Sequence, residues 1–257
     1  MDQQLLQLKT DERIDRLGYH GLQIIQNPDK FKFTMDAFLL ASFIDPRPLH
    51  KILDIGSGGG VLSLLIAGQR EVAKVEGIEI QPELGDMSRR SVILNGLEQK
   101  INIEVGDLKD LPAPFSDNSF DYVITNPPFF EKDRGMVSEN LSLARAKFEI
   151  DCTLEDVVAA AAKCVKGNGK VAIIYPAERL NDLMAIFNKR HLMPKRICFI
   201  HPKPGEKSNL VLMEARPGAK KGVEVLSPVT IYRSEGVYTD MMEKIFHGLS
   251  LREILAQ

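Results

Sequence analysis

The 257-residue chain has no tryptophan and only three cysteines. Cys152, Cys164 and Cys198 are widely spaced and form no Cys-x-x-Cys pair. An odd count of this kind argues against a disulfide framework. The five histidines, His20, His50, His191, His201 and His247, are scattered without the spacing of metal ligands, so no metal is expected. No run of about 18 apolar residues occurs, so no transmembrane helix and no membrane partner are expected. Met1-Asp2-Gln3-Gln4 has neither the basic start nor the apolar stretch of a secretory signal. These absences predict a cytoplasmic protein with reduced thiols, and a monomer is favoured. The chain also lacks internal repeats, low-complexity segments and an obvious linker.

Strong net charge is missing too. The balance is −2, so the chain as a whole does not read as a nucleic-acid binder. Its distribution says more. Residues 160–225 hold 13 Lys and Arg against five acids, a local balance of +8, which leaves −10 for the rest. Such asymmetry points to a polyanionic partner, or to a set of solvated helix faces and loops.

With 44% apolar residues the chain suffices for one large α/β domain, or for one domain with a small appendage. Residues 1–50 read as an N-terminal arm or short hairpin followed by a helix near Phe38–Phe43, which Thr34 or Asp36 would cap and Pro46 and Pro48 would end. Residues 51–257 read as the main domain. Strands are predicted at Lys51–Gly56, Val75–Ile80, Ile101–Val105, Phe120–Thr125 and Val171–Tyr175. Helices are predicted from Val61, over Pro82–Leu94, over Leu154–Val165 and over Leu180–Lys189. Thr153 would cap the third of these, and Gly167 and Gly169 would close it. This alternation predicts an α/β fold with a doubly wound, mainly parallel sheet. Strands at Ile197–Ile200 and Leu210–Glu214 have only a short loop between them, so an antiparallel C-terminal pair is expected. Leu226–Ile231 reads as a further strand and Val237–Phe246 as a closing helix.

Three features sit at the carboxyl ends of consecutive predicted strands. Asp54-Ile55-Gly56-Ser57-Gly58-Gly59-Gly60 forms a strand-to-helix turn whose glycines let a ligand approach the backbone. It fits a dinucleotide or an adenosyl ligand, but Val61 stands where the dinucleotide fingerprint has its last glycine. Asp54 suits a cationic group better than a phosphate. Glu79 follows Gly56 by 23 residues and can take both hydroxyls of a ribose; Asp107 can accept from an adenine amino group.

The fourth feature is Thr125-Asn126-Pro127-Pro128-Phe129-Phe130. The prolines fix φ near −65° and remove two donors, and Asn126 before a proline is held extended. What remains is a stiff ledge of acceptors beside a flat ring. It suits a planar group carrying an NH2, which the acceptors hold and the ring stacks upon. Read alone, the same residues also make a strand-terminating turn.

Asp54-x-Gly56-x-Gly58, Glu79, Asp107 and Asn126-Pro127-Pro128-Phe129 together resemble the motifs of class I S-adenosylmethionine-dependent methyltransferases that act on amino nitrogens. The closer resemblance is to the bacterial tRNA1(Val) adenine-N6 methyltransferases and covers most of the chain. Phe33–Leu40, Leu143-Ala144-Arg145 and Tyr232–Phe246 resemble flanking segments of that family. Phe129-Phe130 departs from the tyrosine common there, and the Asn-Pro-Pro-Phe form also occurs in guanine-N2 enzymes.

The resemblance implies a Rossmann-like fold, S-adenosylmethionine as cofactor and tRNA as partner. Asn126, Pro127, Pro128 and Phe129 would be catalytic. Asp36, Asp54, Gly56, Ser57, Gly58, Glu79, Ile80, Asp107, Leu108 and Asn126 would surround the cofactor. Phe129, Phe130, Arg145, Lys195, Arg196, Lys203 and Lys207 would meet the RNA. A glutamine amide in a translation factor fits the same ledge and is the alternative substrate. A nicotinamide-dependent dehydrogenase and a non-catalytic nucleotide-binding module fit less of the pattern.

Overall fold

A computed structural model describes residues 7–18, 21–28, 34–111, 115, 118–129 and 152–256. At its centre lies a nine-stranded sheet. Five of its strands run parallel in the order β5 (Ile101–Val105), β4 (Lys74–Glu79), β3 (Lys51–Ile55), β6 (Phe120–Thr125), β7 (Val165–Pro176). The order reverses between β3 and β6, the place where ligands bind in sheets of this kind. Beyond β7, β9 (Leu210–Pro217) and then β8 (Leu192–His201) pair antiparallel, as their short connection predicts.

The central strands are buried on both faces, so they read as continuous apolar runs. Alternate residues serve two cores. Ile52, Tyr122, Ile124, Ala172 and Ile174 face one, built with α1 (Met35–Phe43) and α2 (Val61–Gln69). Leu53, Ile55, Val123, Val171 and Ile173 face the other, built with α4 (Leu154–Cys164) and α5 (Leu180–Lys189). All residues of α1 from Ala37 to Phe43 are buried, which explains why it shows no polar face.

A hairpin of β1 (Arg13–Leu17) and β2 (Leu22–Gln26) docks on α3 (Pro82–Leu94). The Ile25 N–H donates to Ser91 Oγ at 2.9 Å, and the Gln23 N–H to Asn95 Oδ1 at 2.9 Å. Arg90 grips both oxygens of Glu12 at 2.6 and 2.7 Å, with both side chains almost buried.

Three details differ from the sequence expectation. Thr153 caps α4 through a reciprocal pair with Asp156, but Gly167 and Gly169 do not close the helix. It ends at Cys164 and β7 starts at Val165, so both glycines lie in the strand. There the register slips between Phe120 and Tyr122 of β6, and a Cβ on Gly169 would stand 2.9 Å from the Asp121 carbonyl oxygen. Close backbone approach, not helix termination, selects that glycine. Leu226–Ile231 yields only the two-residue β11 (Val229–Thr230) along β8, preceded there by β10 (Glu224–Val225). Val237–Tyr238 pairs with Tyr232–Ser234, and helix starts only at Asp240, where Thr239 accepts from the Met242 N–H.

The amino-terminal edge of the parallel strands holds a buried charge cluster. Glu214 is 2% exposed and accepts from the Tyr122 hydroxyl. Lys170 Nζ lies 3.1 Å and Arg196 Nη1 3.3 Å from its carboxylate. The Arg196 guanidinium also stacks 4.8 Å from the Phe43 ring centre. Removing one member strands the others in low dielectric. Glu214→Ala is therefore expected to cost about 3 kcal/mol in urea unfolding. A loss below about 1 kcal/mol would show the two cations to be adequately solvated without it.

Candidate active site

The glycine turn hangs on β4. The Gly56 and Ser57 N–H groups both donate to the Ile78 carbonyl, at 2.9 and 3.0 Å. Gly58 has φ +54°, and a Cβ there would meet nothing within 4 Å, so its requirement is conformational and the space beside it is open. Gly60 is selected sterically as well, since a Cβ would fall 2.1 Å from Ser88 Oγ on α3.

Glu79 locks this turn. It is only 5% exposed. One carboxylate oxygen accepts from the Gly58 N–H and the other from the Gln81 N–H, both at 2.8 Å. These two bonds tie both carboxylate oxygens to backbone donors on either side of it. Asp107 is half-buried; its Oδ1 accepts from the Lys109 N–H at 2.8 Å, which fixes the carboxylate at the end of β5.

Two hollows meet here. The larger holds about 810 Å³ of space, its open mouth included, and is lined by Gly56, Gly58, Glu79, Ile80, Asp107, Leu108, Asn126, Pro127 and Pro128. The smaller lies on the other side of the glycine turn and is lined by Asp54, Ser57, Gly59, Asn126, Ala37, Ile24 and Gln26. Asn126 lines both. Buried Thr125, just before it, donates to the Ile55 carbonyl at 3.0 Å, which ties the ledge to the glycine turn. The Phe129 ring stands edge-on to Tyr175, with centres 6.0 Å apart at 87°.

Asp54 is fully buried and accepts from Ser63 Oγ on α2 at 2.7 Å. Burial pushes its carboxyl up to about 7; the Ser63 bond opposes the shift and the Glu79 charge adds to it. Ser57 Oγ, also buried in the smaller hollow, has no hydrogen-bond partner among the described residues. An orphaned hydroxyl beside open backbone is what a polar ligand would satisfy.

The other named residues divide. Asp36 sits in the first turn of α1 and accepts from Thr34 Oγ1 at 2.8 Å; Ala37, not Asp36, lines the hollow. Burial raises the Asp36 carboxyl, partly offset by the Thr34 bond. Lys203 and Lys207 lie in the turn after β8, at the sheet edge that carries Asn126. Lys195 and Arg196 lie at the opposite edge, away from the cleft. Lys195 Nζ donates to the Lys220 and Gly222 carbonyls, and Arg196 is committed to Glu214. The two pairs therefore lie at opposite ends of the strands, with Lys203 and Lys207 at the end that carries the cleft. Phe130 and Arg145 lie outside the described residues.

Sequence reasoning passed over Ile24 and Gln26 of β2, Gln81, Leu84, and Cys152 and Val157 around α4, all of which line the hollows. No motif marks them. The period-2 alternation of β2 is the one local signal, because it turns Ile24 and Gln26 to the same side. Among the described residues, no group of three His, Cys, Asp or Glu is placed to hold a metal ion, and no helix is long and apolar enough to cross a membrane.

Comparison with known proteins bears on this geometry. Residues 32–182 match the family described as methyltransferase small domain. A protein of Porphyromonas gingivalis strain W83, named tRNA1(Val) (adenine(37)-N6)-methyltransferase, is 30% identical over 209 residues, covering 79% of this chain and 81% of its own length. One of Phocaeicola vulgatus with the same name is 27% identical, covering 81% of this chain and 86% of its own. Among solved structures, one from Agrobacterium tumefaciens described as a predicted O-methyltransferase superposes with a TM-score of 0.67. It shares 22% identity, covers 84% of this chain and 97% of its own, and shows the fold alone.

The raised Asp54 carboxyl makes a stability prediction. Its folded value of about 7 lies above the unfolded value of 3.8, so the folded protein holds a proton that the unfolded chain releases. The contribution is fully present below the unfolded value and is lost as pH rises towards about 7. The stability of wild type minus that of Asp54→Asn should fall by about 1.4 kcal/mol per pH unit from about pH 5 to 7, then level off. Urea unfolding of both proteins across that range checks this. A flat difference would mean that Asp54 is ionised throughout.

Proposed function

Because this chain belongs to the methyltransferase small domain family, we propose that it methylates an exocyclic amino nitrogen, N6 of adenine in a tRNA, with S-adenosylmethionine as donor. The names of its relatives support tRNA1(Val) as the substrate and adenine 37 as the target. A cytoplasmic location follows from such a substrate. The observation that carries the reading is that Asn126, at the end of β6, lines both hollows.

The donor, when bound, supplies an electrophilic methyl group on a sulfonium. The residues around the hollows fit it. Glu79 would accept from the ribose hydroxyls while it keeps the Gly58 and Gln81 N–H groups. Asp107 would accept from the adenine amino group, with Ile80 and Leu108 beside the ring. The smaller hollow would take the amino-acid end. There Ser57 Oγ offers a donor, and Asp54 offers a carboxyl whose ionised form an ammonium would favour.

The target nitrogen is a poor nucleophile, because its lone pair is delocalised into the base. The Asn126 side-chain oxygen and the Pro127 carbonyl would accept hydrogen bonds from its two N–H groups and pull it towards tetrahedral geometry. Alignment then supplies much of the rate, and the proton that the methylated nitrogen sheds passes to water without a general base. Phe129 would stack on the base, which must first swing out of its loop. Lys203 and Lys207 stand on the edge where phosphates of that loop would arrive.

Asn126→Ala removes the side-chain acceptor and leaves the turn to its prolines. Single-turnover transfer from labelled S-adenosylmethionine to unmodified tRNA should slow by about 10²–10³-fold, with donor affinity largely retained. N6-methyladenosine is the expected nucleoside. N2-methylguanosine would move the reading to the guanine enzymes, and a wild-type rate would reduce the ledge to a turn.

Glu79→Ala removes the ribose acceptor and also frees Gly58. Calorimetry should show donor binding weakened by about 1–3 kcal/mol. Unchanged affinity would sink the ribose assignment, and tight binding of a nicotinamide dinucleotide by wild type would sink the class.

A further inference from the structure

Asn126-Pro127-Pro128-Phe129 has an unusual mechanical problem. Two of its four residues have no N–H, so a neighbouring strand cannot hold it by a normal ladder. Yet the Asn126 acceptor must be held to a fraction of an ångström if it is to aim a lone pair. Something must grip the segment through its carbonyls or its ring.

Arg179 does both. It ends the short 3-10 turn Ala177–Arg179 between β7 and α5. Its side chain folds back over the end of β7, and Nη1 donates to the Phe129 carbonyl at 3.2 Å. The guanidinium carbon lies 5.0 Å from the centre of the Tyr175 ring. Tyr175 is fully buried and takes the Phe129 ring edge-on. Three groups thus close a triangle in which Arg179 holds the Phe129 backbone, Tyr175 holds the Phe129 ring, and Tyr175 supports Arg179. The side chain of Arg179 is only 12% exposed, and the Asp182 carboxylate stands 3.9 Å from its Nε. A cation is kept in such a place at a desolvation cost, so its geometry has to be useful. The planar fork can lie on a ring and donate sideways at once, which an ammonium cannot do.

We propose that Arg179 is a positioning residue for methyl transfer: through the Phe129 carbonyl it fixes the ledge and so the direction of the Asn126 acceptor. The inference rests on the functional reading above, in which Asn126 holds the target amino group. Arg179 itself touches neither donor nor base in this role.

Hydrogen exchange and kinetics test it together. In Arg179→Ala, the Asn126 and Phe129 amides, the only two on the ledge, should exchange at least tenfold faster, with melting temperature and donor affinity close to wild type. kcat on unmodified tRNA should fall by about 10²-fold. Arg179→Lys, which keeps charge without the fork, should recover only part of it. In an Asn126→Ala background, Arg179→Ala should change kcat by less than about threefold, because its effect passes through Asn126. Fully additive losses, a wild-type kcat in Arg179→Ala, or a parallel collapse of kcat, donor affinity and melting temperature would each overturn the inference. Unchanged exchange would overturn it even if the wild-type protein methylated no RNA. Faster exchange in a protein without RNA activity would uphold the brace and count against the functional reading alone.

Discussion

The cleft depends on one carboxylate that is already in use before any ligand arrives. Glu79 joins the end of β4 to Gly58 of the glycine turn and to Gln81 at the start of α3. Those bonds set how far apart the turn and the helix stand. A free glutamate at this position would have many rotamers and a full hydration shell. Held by two backbone donors, it needs little reorganisation to accept further hydroxyls. The same bonds place a negative charge near Asp54, which helps to keep the Asp54 carboxyl protonated. One side chain thus shapes one hollow and tunes the electrostatics of the next.

Charge is separated in the fold more sharply than along the chain. The basic stretch after residue 160 is split by the sheet. Part of it is neutralised internally, Lys170 and Arg196 by Glu214 and Lys166 by Asp121 at 2.7 Å. Lys189 and Arg190 meet Glu155 at 2.7 and 3.2 Å on the outer surface of α4 and α5. Asp121 and Glu155 come from outside the segment, so its +8 balance overstates the field that a polyanion would feel at the cleft. A polynucleotide is steered by the charges near the docking edge, because those beyond about 10 Å are screened at ordinary ionic strength.

The sheet and the floor of the cleft were legible because they rest on local rules. Apolar runs made strands, Pro82 opened α3, Thr153 capped α4, and acids and glycines fell at strand ends where parallel topology must bring them together. The walls were not legible. Ile24 and Gln26 reach the smaller hollow only because Ser91, Asn95 and Arg90, more than 60 residues away in sequence, hold the hairpin on α3. Arg179 is only one of the 13 cations of residues 160–225 in the sequence, and nothing local reveals that it turns back onto Phe129. Lys195 and Arg196 read as exposed because their partners, the Gly222 carbonyl and Glu214, come from other strands and loops. Gly167 and Gly169 were assigned to a helix end because a register slip between strands leaves no mark on one strand alone. What failed in each case was a long-range pairing.

The docked hairpin also limits how this site can be divided. The matched family segment begins at residue 32, and it holds every glycine and acid of the cleft floor. Ile24 and Gln26 precede it, yet they wall the hollow that contains Asp54 and Ser57. A fragment cut to those boundaries would retain all the recognisable motifs and lose one side of the pocket they belong to. It would also leave Arg90 without Glu12, a cation on α3 stripped of its bidentate partner. For transplantation, truncation or fusion, the functional unit is therefore larger than the motif-bearing one.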